Sequence, residues 1–261
     1  LSTSFSGSGR ELGVFIENTF GGERFAIVPQ VSLTSGDGRN SFGADSRDVD
    51  LGGFKYGARL DVYPMGLFTE GNDKQIADLG HETAPKLVVG AAASYNDGAS
   101  NAVGEGHGDL FLYNALGENQ LPDYRKVYAD LLFKYKGLSL MGEYVVATAT
   151  SLEGSYTDQT ATSILLPTQI STYLALGRAY NAQIGYVSKS GYALDFRYSA
   201  LTPEFEDNNN SLIASTTGWT AGFSKYFKGN ALKIQAAVSG IDNASLTDNT
   251  LMGQLLFQVI F

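Results

Sequence analysis

Phe54-Lys55-Tyr56-Gly57-Ala58-Arg59-Leu60-Asp61-Val62 puts Phe, Tyr, Ala, Leu and Val at every second position and Lys, Gly, Arg and Asp between them. A period of two means an extended strand, because successive side chains leave a strand on opposite faces. This strand therefore has one apolar face and one charged face. The pattern returns along the chain. Arg125 to Tyr135 sets Val127, Ala129, Leu131, Phe133 and Tyr135 against Lys126, Tyr128, Asp130 and Lys134, with Leu132 as an apolar exception. Gly191 to Ser199 sets Tyr192, Leu194, Phe196 and Tyr198 against Ala193, Asp195, Arg197 and Ser199. Ala231 to Ser239 sets Leu232, Ile234, Ala236 and Val238 against Lys233, Gln235, Ala237 and Ser239.

Eleven such strands are expected, near 11–19, 24–34, 53–63, 86–96, 124–135, 138–149, 178–188, 191–201, 215–226, 231–239 and 251–261. Most have about 9 to 12 residues, the length that crosses a bilayer core at a tilt of about 45° and well beyond the ~5 to 6 of soluble sheets. Turns at Gly21-Gly22, Lys136-Gly137, Ser188 to Gly191 and Lys228 to Asn230 alternate with polar loops near 35–52, 97–123, 150–177, 202–214 and 240–250. Outer-membrane barrels have this rhythm, with short periplasmic turns and long extracellular loops. The 65–85 connection breaks it: alternation makes it a periplasmic turn, yet it has 21 residues. The expected fold is all-β, a single antiparallel transmembrane β-barrel domain over 1–261. Leu60, Val62, Leu131, Phe133, Leu194, Phe196, Trp219 and Phe223 should face lipid, and Tyr56, Tyr63, Tyr95, Tyr135, Tyr144, Tyr186, Tyr226 and Phe227 should form interfacial girdles.

Composition narrows the function classes. The 261 residues include no Cys, which closes disulfides and thiolate metal sites. No apolar run approaches the ~18 residues of a membrane helix. A hydrophobic share of 43% and an aromatic share of 12% are too high for a disordered chain. A formal charge of -9 argues against nucleic acid, whose phosphates are held by an excess of Lys and Arg.

At the C-terminus Leu251, Gly253, Leu255, Phe257, Val259 and Phe261 share one face, and the chain stops on an aromatic. This looks like the sorting signal that the barrel-assembly machinery of Gram-negative bacteria reads by strand pairing, with Phe257, Val259 and Phe261 as its carriers. If Phe261 is periplasmic, strand 11–19 descends and Leu1 is extracellular. An even-numbered barrel then requires at least one strand before residue 11, from a preceding portion of the chain or from another polypeptide.

Arg10-Glu11-Leu12-Gly13-Val14, Tyr56-Gly57-Ala58-Arg59-Leu60, and Ala182-Gln183-Ile184-Gly185-Tyr186 followed by Asp195-Phe196-Arg197-Tyr198 occur in the order of the phosphate-selective porin O/P family. The chain resembles the C-terminal part of that family over most of its length. The resemblance implies a barrel of sixteen strands, usually trimeric, whose selectivity rests on a ladder of Arg and Lys in the lumen. Here the ladder is mixed. Lys55, Arg59, Lys126, Lys134, Arg197 and Lys233 fall on the inward faces, and so do Glu17, Asp61, Asp130, Glu143 and Asp195. Arg59 with Asp61, and Arg197 with Asp195, are two residues apart on one face, so mutual pairing competes with solute contact.

The expected function is an outer-membrane porin: a water-filled channel for passive diffusion of small polar solutes and ions, weakly selective, with extracellular loops setting the constriction. The alternative is a structural or docking component with a plugged lumen. No catalysis and no cofactor are expected; inward Gly57, Ser139, Gly185, Ser199, Gly222 and Ser224 favour open space. Expected partners are outer-membrane lipid and lipopolysaccharide, the barrel-assembly machinery, and further copies in a homotrimer or larger complex. The two histidines, His81 in the 65–85 connection and His107 in Gly104-Glu105-Gly106-His107-Gly108-Asp109, fall on opposite sides of the membrane and cannot share a site. Asp37, Asp45, Asp48 and Asp50 supply oxygens for Ca²⁺ but lack EF-hand spacing, so a charged loop is the simpler reading.

Overall fold

The computed structural model describes residues 5, 11–36, 52–104, 110–205, 210–245 and 249–260. Twelve strands follow in chain order: β1 Gly13–Glu17, β2 Phe20–Gly21, β3 Ala26–Thr34, β4 Lys55–Tyr63, β5 Lys86–Asn96, β6 Asp123–Tyr135, β7 Leu138–Thr150, β8 Gly177–Val187, β9 Tyr192–Pro203, β10 Thr216–Lys228, β11 Leu232–Asn243 and β12 Thr250–Val259. All join one sheet in the order β1-β3-β4 through β12, each pair antiparallel, with β2 also pairing β3. Each of the eleven expected segments holds a strand. β1 ends early, and the two-residue β2 continues the same edge beyond Asn18-Thr19, which is why twelve strands are counted. β11 runs on to Asn243, beyond the expected end at 239, because its pairing with β10 continues to Thr216. The sheet is not closed: β1 and β12 stand at opposite ends of the order and do not pair with each other.

The sheet is nevertheless strongly curled. Gln75 accepts a hydrogen bond at its backbone oxygen from Lys134 Nζ on β6 (2.6 Å) and one at its side-chain oxygen from Asn230, in the β10–β11 turn (2.7 Å). In a flat sheet β6 and β10 lie about 19 Å apart, beyond what one glutamine can bridge. The strands between must wrap around residue 75.

Burial in this sheet is inverted relative to a soluble protein. On the polar face Lys134 is 0%, Lys126 3% and Asp61 6% exposed, while on the apolar face Leu194 is 67%, Phe257 65% and Leu60 45% exposed. Val62, Leu131, Phe133, Phe196, Trp219 and Phe223 share that outer face through the strand registers. Tyr56, Tyr95, Tyr144, Tyr180, Tyr198 and Trp219 band it toward one end, and Tyr135, Tyr186, Tyr192 and Phe227 toward the other. Arg125 stacks over Tyr95 at 5.3 Å and Lys225 over Tyr192 at 3.8 Å, so cations cap both bands. Arg125 and Tyr135 bound the band on β6; at ~3.3 Å per residue and a tilt of about 45° they stand roughly 23 Å apart, close to the ~25 Å apolar band of outer-membrane barrels. Two expected girdle residues belong elsewhere. Tyr63 turns inward and meets Phe68 edge-on at 6.2 Å, and Tyr226 lines an inner cavity, because both share parity with the polar face.

The final strand β12 carries Leu251, Leu255, Phe257 and Val259 outward, opposite Leu232, Ile234 and Ala236 of β11. Phe261 lies outside the described residues.

Candidate functional site

One register row ties the predicted lining together. Asp61, Gly90, Asp130, Glu143, Asn181 and Ser199 are successive partners across β4 to β9, so their side chains share the inner face. Strand parity adds Lys55, Lys126, Lys134, Asp195, Arg197 and Lys233 to it. The face is shared; the environments along it are not.

Strand β6 marks three levels, because Lys126, Asp130 and Lys134 recur every four residues and all point inward. At the lowest level Lys134 Nζ donates to the backbone oxygens of Asn72, Gln75 (2.6 Å) and Ala77 (3.0 Å). An ammonium has three protons, and three carbonyls take them. These carbonyls belong to the long 65–85 connection, which folds back on the inner face instead of hanging free. Asn72 Nδ2 donates to Asp78 (2.8 Å) and Glu82 (2.7 Å), Glu82 accepts from the Thr69 N–H (2.9 Å) and hydroxyl (3.0 Å), and Asp78 accepts the Gly137 N–H (2.7 Å). Asp78, Glu82 and Asn72 are all buried. The length of this connection thus has a structural use: its segment 72–78 is held against the wall. His81 sits in it with a positive φ of 49°, its ring beside Gly137; His107 lies outside the described residues, as do Asp37, Asp45, Asp48 and Asp50. The apolar exception Leu132 also finds its reason. Val88, Leu132 and Met141 are successive register partners and line one cavity of about 300 Å³ with Ile76 of the infolded segment.

At the middle level Arg59 is held by two carboxylates. Nη1 and Nη2 donate to Asp130 at 2.7 and 2.9 Å, Nε donates to Asp61 at 3.0 Å, and Nη2 lies 2.6 Å from the other Asp61 oxygen. Gln30 donates to Asp61 as well (3.3 Å). Reaching from β4 to β6 means crossing β5, and the residue crossed is Gly90. A Cβ there would stand 2.6 Å from Asp61 and 2.7 Å from Asp130, and closer still to the guanidinium. Gly90→Ala is therefore expected to force the bridge apart and destabilise the protein by about 1–3 kcal/mol, read as a lower urea midpoint of the detergent-solubilised chain; an unchanged midpoint would contradict the crossing geometry.

At the upper level Lys126 donates to the Phe5 oxygen (3.0 Å) and the Val103 oxygen (3.4 Å). Around it the loops after β5 and β7 build an apolar core, in which Leu112, Ile170, Leu174 and Leu176 are buried against Tyr124 and Ala147 of the wall. The Tyr124 hydroxyl donates to the Ala175 oxygen (2.6 Å), and Tyr113 bridges Tyr156 between the two loops. On the outer loop Asp158 accepts bonds from the Thr160 hydroxyl and from the N–H groups of Thr162 and Ser163, with the Thr160 hydroxyl the largest cause, and its carboxyl is pulled down to about 2. Because the folded value is depressed, the turn keeps its full order above the ordinary carboxylate range and loses it only as pH falls through about 2. A carbon-13 titration of the Asp158 carboxyl should give a midpoint near 2, and one near 3.8 would refute the capped turn.

The expected lining is thus divided. Lys55 is paired with Glu11 at 2.7 Å, Arg59 is neutralised by Asp61 and Asp130, and Glu143 accepts from Asn181 at 2.9 Å. Lys126 and Lys134 project from the predicted face, but infolded backbone covers their ammonium groups, a correction to their expected place beside open lumen. Pairing of Arg197 with Asp195, one of the two readings of that face, does not form among the described residues; Gln183 and Lys233 are the polar side chains near Asp195. Asp195, Arg197 and Lys233 line a cavity of about 330 Å³ between β8–β11 and residues 75–77. No known protein family, curated protein or solved structure matches this chain. Among the described residues, no helix is long and apolar enough to cross a membrane, and none of their His and acidic side chains form a metal-binding group.

Proposed function

We propose that the chain forms the wall of a β-barrel of the Gram-negative outer membrane and lines a narrow channel for passive diffusion of small polar solutes and ions, with weaker selectivity than the phosphate-selective porins it resembles. The carrying observation is the inverted sheet: charged side chains buried on the curled inner face and large apolar ones exposed on the outer face at bilayer length. In water such an outer face would be an aggregation liability; in lipid it is the stable arrangement. Weak selectivity follows from the paired lining. A carboxylate on each side of Arg59 cancels most of its field at a passing ion, and the formal charge of -9 disfavours phosphate at the mouth. Passage runs along β8–β11, between that part of the sheet and residues 75–77 of the infolded segment, since the Arg59 cluster occupies the β4–β7 side.

The apolar core built by the loops after β5 and β7 favours a second reading, a docking component whose lumen is filled at one end. Planar bilayers separate the two. Stepwise conductance with a small reversal potential in a KCl gradient supports the channel; a folded, inserted protein without conductance supports docking. Recovery as a folded monomer in a detergent-free soluble fraction would overturn both.

A further inference from the structure

The cavity over β8–β11 has a lining unlike the rest of the inner face. Its floor is low: Gly222 and Ala237 flank Asp195 on one side and Gly185 on the other, where a Cβ would collide with the Asp195 carboxylate. Above this floor stand Gln183, the register partner of Arg197, and Thr220, the next partner along the row. Below it lie Gln235 and Lys233. The roof is the infolded segment, whose Gln75 side chain is fixed by the 2.7 Å bond from Asn230. The second atoms of that amide pair, an NH₂ and a carbonyl oxygen, take no further partner among the described residues.

We propose that this cavity is a solute subsite for an uncharged polyhydroxylated molecule of monosaccharide size, which rests on the channel reading above and names the solute class it passes. Asp195, Arg197 and Lys233 put charges of both signs around one small space, and a neutral polyol can donate to the carboxylate and accept from the cations without giving up an ionic hydration shell. The donors and acceptors select hydroxyls. Amide, carboxylate and guanidinium groups are planar and carry paired polar atoms, so each spans two adjacent hydroxyls, and every hydroxyl both donates and accepts. Four amides, Asp195 and Arg197 surround one space of about 330 Å³, at the small end of ligand cavities. Ile76 and Ala77 above and Ala237 below give apolar surface for the C–H faces of a sugar ring.

The test uses the full chain in detergent and in planar bilayers, with glucose, glycine and inorganic phosphate as probes. Saturation-transfer NMR should show glucose bound and the other two not, and Gln235→Leu and Gln183→Leu should each weaken glucose by about tenfold, the loss of a polar contact. Gln235→Asn, which keeps an amide, should recover part of it. In bilayers glucose should reduce the open-channel current of the parent chain and not of the leucine variants. Preference for glycine or phosphate, or glucose binding indifferent to both variants, would overturn the subsite. Absence of conductance with glucose bound would sink the channel reading while leaving the subsite standing.

Discussion

In the proposed channel, replacing Lys134 with Met is expected to raise the single-channel conductance severalfold and to cost about 3–5 kcal/mol of stability, because three buried carbonyls lose a charged donor at once. Methionine nearly matches the stem in length but offers no proton. The oxygens of Asn72, Gln75 and Ala77 then lose their shared donor inside the protein, and a buried acceptor left without a partner is expensive. Asp78 and Glu82 also lose a cation that interacts with them, although their bonds to Asn72, Thr69 and Gly137 remain. Segment 72–78 should therefore loosen at its wall-facing side while its base holds. The check is paired: urea midpoints in detergent, and conductance in planar bilayers. Lys134→Arg keeps the charge with a larger fork and should fall between parent and Met. A Met variant with parental midpoint and conductance would show that the ammonium does not hold the segment.

In the proposed channel, replacing Arg59 with Gln should turn weak selectivity into a preference for cations. Asp61 and Asp130 converge on the same guanidinium across the gap at Gly90. Without it two carboxylates face each other, and their joint field attracts cations instead of cancelling. The reversal potential in a KCl gradient should move toward the potassium limit. Stability should drop by about 2–4 kcal/mol, partly restored on acidification as one carboxyl takes a proton. Arg197→Gln is the informative comparison. Arg197 has no ion pair among the described residues, so its loss should move selectivity in the same direction while leaving stability within about 0.5 kcal/mol. An anion-preferring Arg59→Gln channel would refute the electrostatic reading of this cluster.

Sequence reading found the strands because their signal is local. Lys126, Asp130 and Lys134 alternate with Val127, Leu131 and Phe133 over a single strand, and a period of two survives whatever surrounds it. The charged lining was legible for the same reason: parity alone puts Lys55, Asp195 and Lys233 on one face. What those charges do was not legible. Asp61 lies two residues from Arg59, but Asp130 lies 71 residues away and is reached only because Gly90 leaves the crossing open. Two signals of the infolded segment were present, the 21-residue connection and Leu132 on a polar face, and neither could name the partner of the other.

The sequence by itself determined that this chain is all-β, that its strands are long and two-faced, and which side chains share the inner face, since alternation is a property of consecutive residues. Only the tertiary structure decided that the sheet curls around residue 75, that Lys134 and Lys126 are consumed by backbone carbonyls, and that Arg59 is neutralised twice while Arg197 has no ion pair among the described residues. Those outcomes depend on strand register and on loops returning to the wall. Contacts of that kind join residues from opposite ends of the chain, as Gln75 and Asn230 show at a separation of 155, and no local pattern encodes them.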